Sequence, residues 1–421
     1  MKTSLLPLVC LGGLASATIW QNDQVRPSNY PSTEISLQSY GNGTQWRDYA
    51  PDCAELSYKG RWDEQYISWW SAPGLKFGFQ ADNVAISFGN YTSPGVLLAY
   101  RLDGQDWTLT NVTAKSTHLF IDPSTPGWNL TTSIDNLRTL ELRVTNWAFG
   151  VQIEKVHLSG GNAILVKIPD YARRIEVIGD SLSSGYGDTL EGISSWAWGL
   201  AYGLGNTEFS LTAYPGVCVT DTDCWGNPRG QSHQWKKTVD TSGRAVEMYG
   251  PNLTDAPDWD FSKQEHPDLT IINIGTNDNN THNNVTSESF TAAYISLIEQ
   301  VHEVWPETQI IVQSLWSGWG QVGSTWVQGA GFYEEIQTIV KHFNNGKLNK
   351  KGGEGFVYYY NTTGIMQHND NSPLFHPTDV GQIKVASHMM EYVRLIFDWE
   401  LMQTGPEVQH QTLYWNDMDL D

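Results

Sequence analysis

The chain has 421 residues, with 46 acidic side chains against 25 basic ones and a formal net charge of -21 at pH 7. That balance excludes nucleic acid and anionic membrane surfaces as partners, because both demand basic patches, and it fits a protein kept soluble in an acidic or extracellular setting. The length exceeds the roughly 100–200 residues of one typical domain and predicts two.

In chain order, "MKTSLLPLVCLGGLASATIW" comes first: Lys2, an apolar run from Leu5 to Leu14, then Ala15, Ser16 and Ala17. This is the pattern of a cleaved signal peptide over residues 1–17, and it predicts a secreted, extracellular protein beginning near Thr18. The run is too short to span a bilayer, and no later segment approaches the roughly 20 apolar residues a membrane helix needs. Sequons at Asn42, Asn90, Asn111, Asn129, Asn252, Asn284 and Asn361 fit a glycoprotein. With Cys10 removed alongside the signal, an oxidising compartment predicts a small Cys218–Cys224 disulfide loop and leaves Cys53 over. A loop so short contributes only about 2 kcal/mol, so its expected role is local shaping.

Residues 18–165 show period-two runs: Leu75, Phe77, Phe79; Val84, Ile86, Phe88; Leu140, Leu142, Val144. Turn signals such as Asp103-Gly104 and Pro126-Gly127 separate them, which predicts an antiparallel β-sandwich. From 166 to 400 the pattern changes to short apolar runs alternating with helical periods, as a parallel sheet with crossover helices requires. Strands are predicted at Ile175–Ile178, Leu269–Ile274, Gln309–Gln313 and Phe356–Tyr360. One helix carries Phe332, Ile336, Ile339, Val340 and Phe343 on a single face. The last helix begins after Thr378, a suitable N-cap, and carries Ile383, Ala386, Met390 and Val393. The acidic tail, 401–421, has no assigned structure.

Four segments of the second half carry chemistry. "RRIEVIGDSLSSGYG" leaves a buried strand through Gly179, Asp180 and Ser181, at the strand end where α/β sheets place their ligands. "AYPGVCV" puts Gly216 in a loop where a bare backbone N–H can approach a substrate. "IINIGTNDNN" sets Gly275, Thr276, Asn277 and Asp278 at the end of another apolar strand, and "LFHPTDVGQ" sets His376 just before the last helix. An ester hydrolase needs a nucleophile, a base to take its proton and donors aimed at an oxyanion, and these segments offer all three.

This four-block order resembles the SGNH, or GDS-type, hydrolase superfamily and within it carbohydrate esterase family two. "GRWDEQYISWW", "YRLDGQDW" and "RVTNWAFGVQIEKVHLSGG" look like that family's N-terminal jelly-roll segments. The resemblance implies a jelly-roll β-sandwich followed by a three-layer, flavodoxin-like α/β hydrolase domain. It implies Ser181 as nucleophile, His376 as general base, and an oxyanion hole made by the N–H groups of Ser181 and Gly216 with the Asn277 side chain. Relatives usually carry an aspartate two or three residues before the histidine, where this chain has Pro373 and Leu374. A Ser-His dyad oriented by a backbone carbonyl is therefore expected, with Asp370 and Asp379 as alternative acids out of register.

The expected activity is removal of O-acetyl groups from plant-type polysaccharides, as an acetyl xylan esterase does, by a monomeric enzyme without cofactor. The 19 tryptophans add independent support, since flat rings serve as platforms for sugars. Trp316, in "SLWSGWGQVGSTW", is the expected platform, with Trp319 and Trp225 behind it. No CxxC pair or HExxH motif suggests a metal, and no GxSxG surrounds Ser181. His388 is expected to be packed or exposed, His368 to lie near the base, and His233 and His282 carry no signal. The rival readings are a GDS-type lipase acting on longer acyl esters and a non-catalytic carbohydrate-binding protein on an esterase frame.

Overall fold

In the computed structural model, residues 20, 21, 24, 25, 30, 32–41, 43–125, 127, 128, 137–316, 318–349, 351, 353, 355–371 and 375–402 are described. The predicted signal peptide lies outside them, as do residues 403–421 of the tail and the sequons Asn42 and Asn129.

The first half is a sandwich of two antiparallel sheets. In one, Ser68–Gln80 pairs with Ser57–Trp62, Arg138–Val144 and Ile164–Val166, and Val96–Leu102 joins Arg138–Val144 to Thr108–Val112. In the other the order is Trp46–Tyr49, Ile153–Ser159, Asn83–Phe88, Thr117–Ile121. Alternation sends Leu75, Phe77, Phe79, Val84, Ile86, Phe88, Leu140, Leu142 and Val144 into one shared core, as a period of two requires.

Ser68–Gln80 is unusual in being buried almost throughout its length. Its second face, with Trp70 and Ala72, belongs to the core clusters of the other half of the chain. There the Trp70 N–H donates to Asp240 Oδ2 at 2.9 Å and its indole donates to the Thr238 carbonyl at 3.1 Å. Ser71 Oγ donates to the Ala213 carbonyl at 2.9 Å. The two halves are therefore joined by a continuous apolar contact.

The second half is a five-stranded parallel sheet in the order Thr207–Ala213, Arg173–Gly179, Leu269–Asn273, Gln309–Gln313, Val357–Tyr360. The order 2-1-3-4-5 is that of a flavodoxin-like doubly wound sheet, whose switch point lies between its first and third strands. Thr207–Ala213 was not among the predicted strands. Its polar positions are satisfied by partners distant in sequence: Glu208 pairs with Lys59 at 3.0 Å and Thr212 Oγ1 donates to Glu176 Oε1 at 2.8 Å.

The helices Tyr333–Phe343 and Asp379–Phe397 pack on this sheet, and Thr378 caps the second by accepting from the Gly381 N–H at 3.3 Å. The buried face of the second is rotated from the expected one. Ile383 is exposed and Met390 half-buried, while Gln382, Val385, Ala386, Met389 and Val393 face inward. Gln382 is drawn in because its amide bridges the Trp196 N–H at 2.8 Å and Asp188 Oδ2 at 2.8 Å. The Cys218–Cys224 disulfide is present, and Cys53 is free, half-buried and bonded to Glu55 Oε2 at 2.8 Å.

Candidate active site

The strand Arg173–Gly179 runs straight into a one-turn helix, Ser181–Ser184, capped by Asp180, whose carboxylate accepts the Leu182 N–H at 3.0 Å. The turn is tight enough that a Cβ on Gly179 would lie 2.3 Å from Ser183 Oγ. Glycine is the residue that lets helix and strand meet this closely. Ser181 is thereby held at the switch point, largely buried, with its Oγ 2.8 Å from His376 Nε2. The two are 195 residues apart in sequence. A hydroxyl bonded to a neutral imidazole nitrogen can lose its proton to that nitrogen as it attacks an electrophile.

Two loops flank the pair. Gly216 has φ +80°, a left-handed conformation suited to glycine, and a Cβ there would press on Asn227 Nδ2 at 2.8 Å and Trp225 Cβ at 3.2 Å. Asn277 Nδ2 donates to the Val217 carbonyl at 2.9 Å, and the Asn277 backbone carbonyl accepts from Asn283 Nδ2 at 2.9 Å. Buried Asp278 accepts from the N–H groups of Val219 at 2.8 Å and Thr220 at 3.0 Å. The loop bearing Gly216 and the loop bearing Asn277 are thus stitched to each other, and the disulfide closes the far side of the first. Asp278 was visible in the sequence beside Asn277, but only the fold shows it as the stitch.

Pro373 and Leu374, which stand where relatives carry the orienting aspartate, lie outside the described residues. The two alternative acids have other partners. Asp370 Oδ2 accepts from the Gln367 N–H at 2.8 Å and from Lys384 Nζ at 2.7 Å. Asp379 accepts from the Thr189 N–H at 3.1 Å and its hydroxyl at 2.7 Å.

Sequence reasoning missed a buttress. The Tyr186 ring packs 4.7 Å from the His376 imidazole, and Trp147, contributed by the sandwich half, packs 5.5 Å behind Tyr186. Tyr186 lay within the quoted serine segment, and Trp147 carried no local signal at all.

The tryptophans redistribute. Trp316 is only 2% exposed and belongs to the same buried cluster as Leu182 and Met366, so it supports the site from below and presents no platform. Just beyond Gln309–Gln313, Leu315 joins one of the two buried clusters of this half and Trp316 the other. Trp319 is half-buried at the base of a hairpin, Trp319–Val322 with Thr325–Gln328. Trp225 is 52% exposed and stacks on His282 at 4.6 Å. On the hairpin, the exposed Trp326 stacks on His368 at 3.9 Å. His282 and His368 therefore act as the lower faces of two exposed indoles, which no motif indicated.

Three acids beside the site are held protonated well above the usual range. Burial pushes Asp180 and Glu191 up to about 7; burial, with the charge of Asp379, pushes Asp188 up to about 8. A carboxyl raised on folding binds its proton more tightly in the folded chain. Its stabilising contribution is thus present at low pH and lost as pH rises from the unfolded value near 4 through the folded one. The melting temperature is expected to fall between about pH 5 and about pH 8, and Glu191→Gln to flatten that slope, as differential scanning fluorimetry would show.

Among the described residues no group of three or more His, Cys, Asp or Glu is placed to hold a metal ion, and no helix is long and apolar enough to cross a membrane.

A serine bonded to a histidine at the switch point of a 2-1-3-4-5 parallel sheet defines a hydrolase-type site on a flavodoxin-like frame. Residues 177–382 match the GDSL-like Lipase/Acylhydrolase family, and this half of the chain belongs to the GDSL, or SGNH, hydrolases. Compared with the curated proteins, the sequence finds no match. Among solved structures it is similar to a family two carbohydrate esterase from Clostridium thermocellum in complex with cellohexaose. The identity is 20% over 82% of this chain and 99% of that one, with a TM-score of 0.61. It is also similar to an acetyl xylan esterase from Butyrivibrio proteoclasticus, at 16% identity over 85% of this chain and 99% of that one, TM-score 0.64. A family two carbohydrate esterase from Cellvibrio japonicus gives 16%, 85%, 99% and 0.63. Sandwich and parallel sheet together form the fold of those enzymes.

Proposed function

We propose that the chain is a secreted serine esterase that removes O-acetyl groups from plant-type polysaccharides through an acyl-enzyme. The observation that carries this is the 2.8 Å contact between Ser181 Oγ and His376 Nε2 at the switch point. Ser181 Oγ attacks the acetyl carbonyl carbon while His376 Nε2 takes the hydroxyl proton. The negative charge gathers on the former carbonyl oxygen, faced by the N–H groups of Ser181 and Gly216 and by the second amide N–H of Asn277. Collapse of the tetrahedral intermediate breaks the ester bond, and His376 returns the proton to the departing sugar oxygen. Water, deprotonated by the same histidine, then attacks the acyl-enzyme and releases acetate.

The carbohydrate assignment draws on the fold shared with family two esterases and on the two exposed indoles, Trp225 and Trp326. Trp225→Ala and Trp326→Ala are each expected to lower kcat/KM on acetylated xylo-oligosaccharides about tenfold, the equivalent of one lost stacking contact of roughly 1.4 kcal/mol. On 4-nitrophenyl acetate, which reaches no platform, both should stay near the parent value. Equal losses on both substrates would mean damaged packing.

One observation favours the lipase reading: Val322, Trp326, Val327 and Phe375 expose apolar surface around the hairpin and the histidine segment. Comparing 4-nitrophenyl acetate with the decanoate, beside Ser181→Ala, separates the readings. Preference for acetate supports the deacetylase, and preference for the long chain replaces it with a lipase. A folded parent chain inactive on both would leave a binding protein.

A further inference from the structure

A cavity of about 700 Å³ lies between the sandwich and the amino ends of the strands Arg173–Gly179 and Thr207–Ala213. It reaches Ile175, four residues before the strand ends at Gly179, so it lies about 13 Å along the strand, at about 3.3 Å per residue, from the end that carries Ser181. Doubly wound sheets place their reaction sites at the carboxyl edge. A cavity at the amino edge therefore has no part in chemistry at Ser181.

Its walls are of two kinds. Half-buried Tyr58 and Tyr66 supply aromatic surface, and buried Trp62 and Trp259 back the wall. Three of them form one cluster, with Tyr58 4.9 Å from Trp62 and 5.4 Å from Tyr66 between ring centroids. Tyr66 is held at φ 60°, a left-handed conformation that costs an ordinary side chain about 1 kcal/mol. The turn around it is over-determined by Asp63, whose carboxylate accepts from the N–H groups of Gln65 at 2.8 Å and Ile67 at 3.0 Å and from the Trp69 indole at 3.0 Å. That turn places a tyrosine, where glycine or asparagine would relax the backbone, on a cavity wall.

The polar walls are charged but matched. Lys59 bridges Asp170 at 2.6 Å and Glu208 at 3.0 Å, Ser57 Oγ donates to Asp170 at 2.9 Å, and Arg174 pairs with Glu265. Four basic and five acidic side chains line the cavity, nearly neutral in a chain of net charge -21. An anionic or cationic ligand would gain little from such walls. A ligand with hydroxyls for paired carboxylates and ammonium groups, and with apolar ring faces for tyrosine, meets both kinds.

The geometry points to this cavity as a binding site for a neutral sugar chain, separate from the serine and independent of any reaction there. The test is affinity electrophoresis of the full chain in gels containing hydroxyethyl cellulose or neutral arabinoxylan, with 4-nitrophenyl acetate hydrolysis measured in parallel. The parent should be retarded in at least one gel. Tyr66→Asn, which removes the ring while tolerating the left-handed turn, should weaken binding about tenfold and leave aryl acetate turnover unchanged. Tyr66→Gly is the second variant should the first fold poorly, and Tyr66→Phe should retain binding. The proposal is overturned if the parent migrates freely in both gels, if the ring-less variants bind like the parent, or if Trp225→Ala alone abolishes retardation. In that last case the sugar is held on the serine side, and the proposed esterase function stands.

Discussion

Replacing His376 by alanine is expected to lower kcat on 4-nitrophenyl acetate by roughly 10⁴–10⁶-fold, with Ser181→Ala giving a loss of the same order and the double variant little more. In the proposed mechanism the two side chains act as one unit, the imidazole at 2.8 Å turning the hydroxyl into a nucleophile, so neither retains much value alone. Asp370→Asn and Asp379→Asn should each keep most of the activity, because their carboxylates are engaged with Lys384 and Thr189. Circular dichroism establishes that each variant is folded, and steady-state kinetics reads the effect. If either asparagine variant collapses while folded, its carboxylate is the orienting acid of a triad.

The second large effect belongs to Asn277. Its side chain spends one N–H on the Val217 carbonyl, which fixes the amide plane and aims the other N–H at a set point. A fixed donor needs no reorganisation when charge appears, and deleting such a donor costs about 10²–10³ in kcat. Asn277→Ala is expected to show that loss with KM little changed, since the interaction strengthens only as the carbonyl oxygen becomes an oxyanion. A folded variant with nearly parental kcat would make Asn277 a turn residue that stitches two loops. Asn277→Asp is the sharper variant, because it puts an acceptor and a negative charge where a donor is required.

The parts of this site that could be read from sequence are those carried by short segments at strand ends. Ser181, Asn277 and His376 each follow an apolar run or precede a helix cap, and such patterns locate those boundaries locally, whereas Gly216 was marked only by the family resemblance. What could not be read depends on neighbours supplied by distant segments. An indole after a strand looks the same whether the chain lifts away or folds back, so Trp316 was indistinguishable from a platform until its burial was known. Glu208, Ser210 and Thr212 hid the edge strand Thr207–Ala213 by interrupting any apolar run, with Glu208 matched by Lys59 and Thr212 by Glu176. Gln382 likewise displaced Ile383 from the inner face of the last helix through a hydrogen bond to a carboxyl 194 residues away. Trp147 bears on the histidine through Tyr186, a contact no local pattern announces.

The strand Ser68–Gln80, buried on both faces, bears on how the polypeptide is made. Its inward face can be covered as soon as the sandwich is synthesised, but the face bearing Trp70 waits for Thr238 and Asp240. Asp240 follows the last sandwich strand, Ile164–Val166, by about 70 residues, so at ribosomal rates of about 5–20 residues per second that wait lasts roughly four to fifteen seconds. Throughout it a nascent sandwich displays the apolar patch around Trp70 and Ala72 on a finished sheet, the kind of surface that recruits chaperones or adheres to another unfinished copy. Yield during expression should accordingly respond more to holdase capacity and to slowing of synthesis than to the thermal stability of the finished molecule.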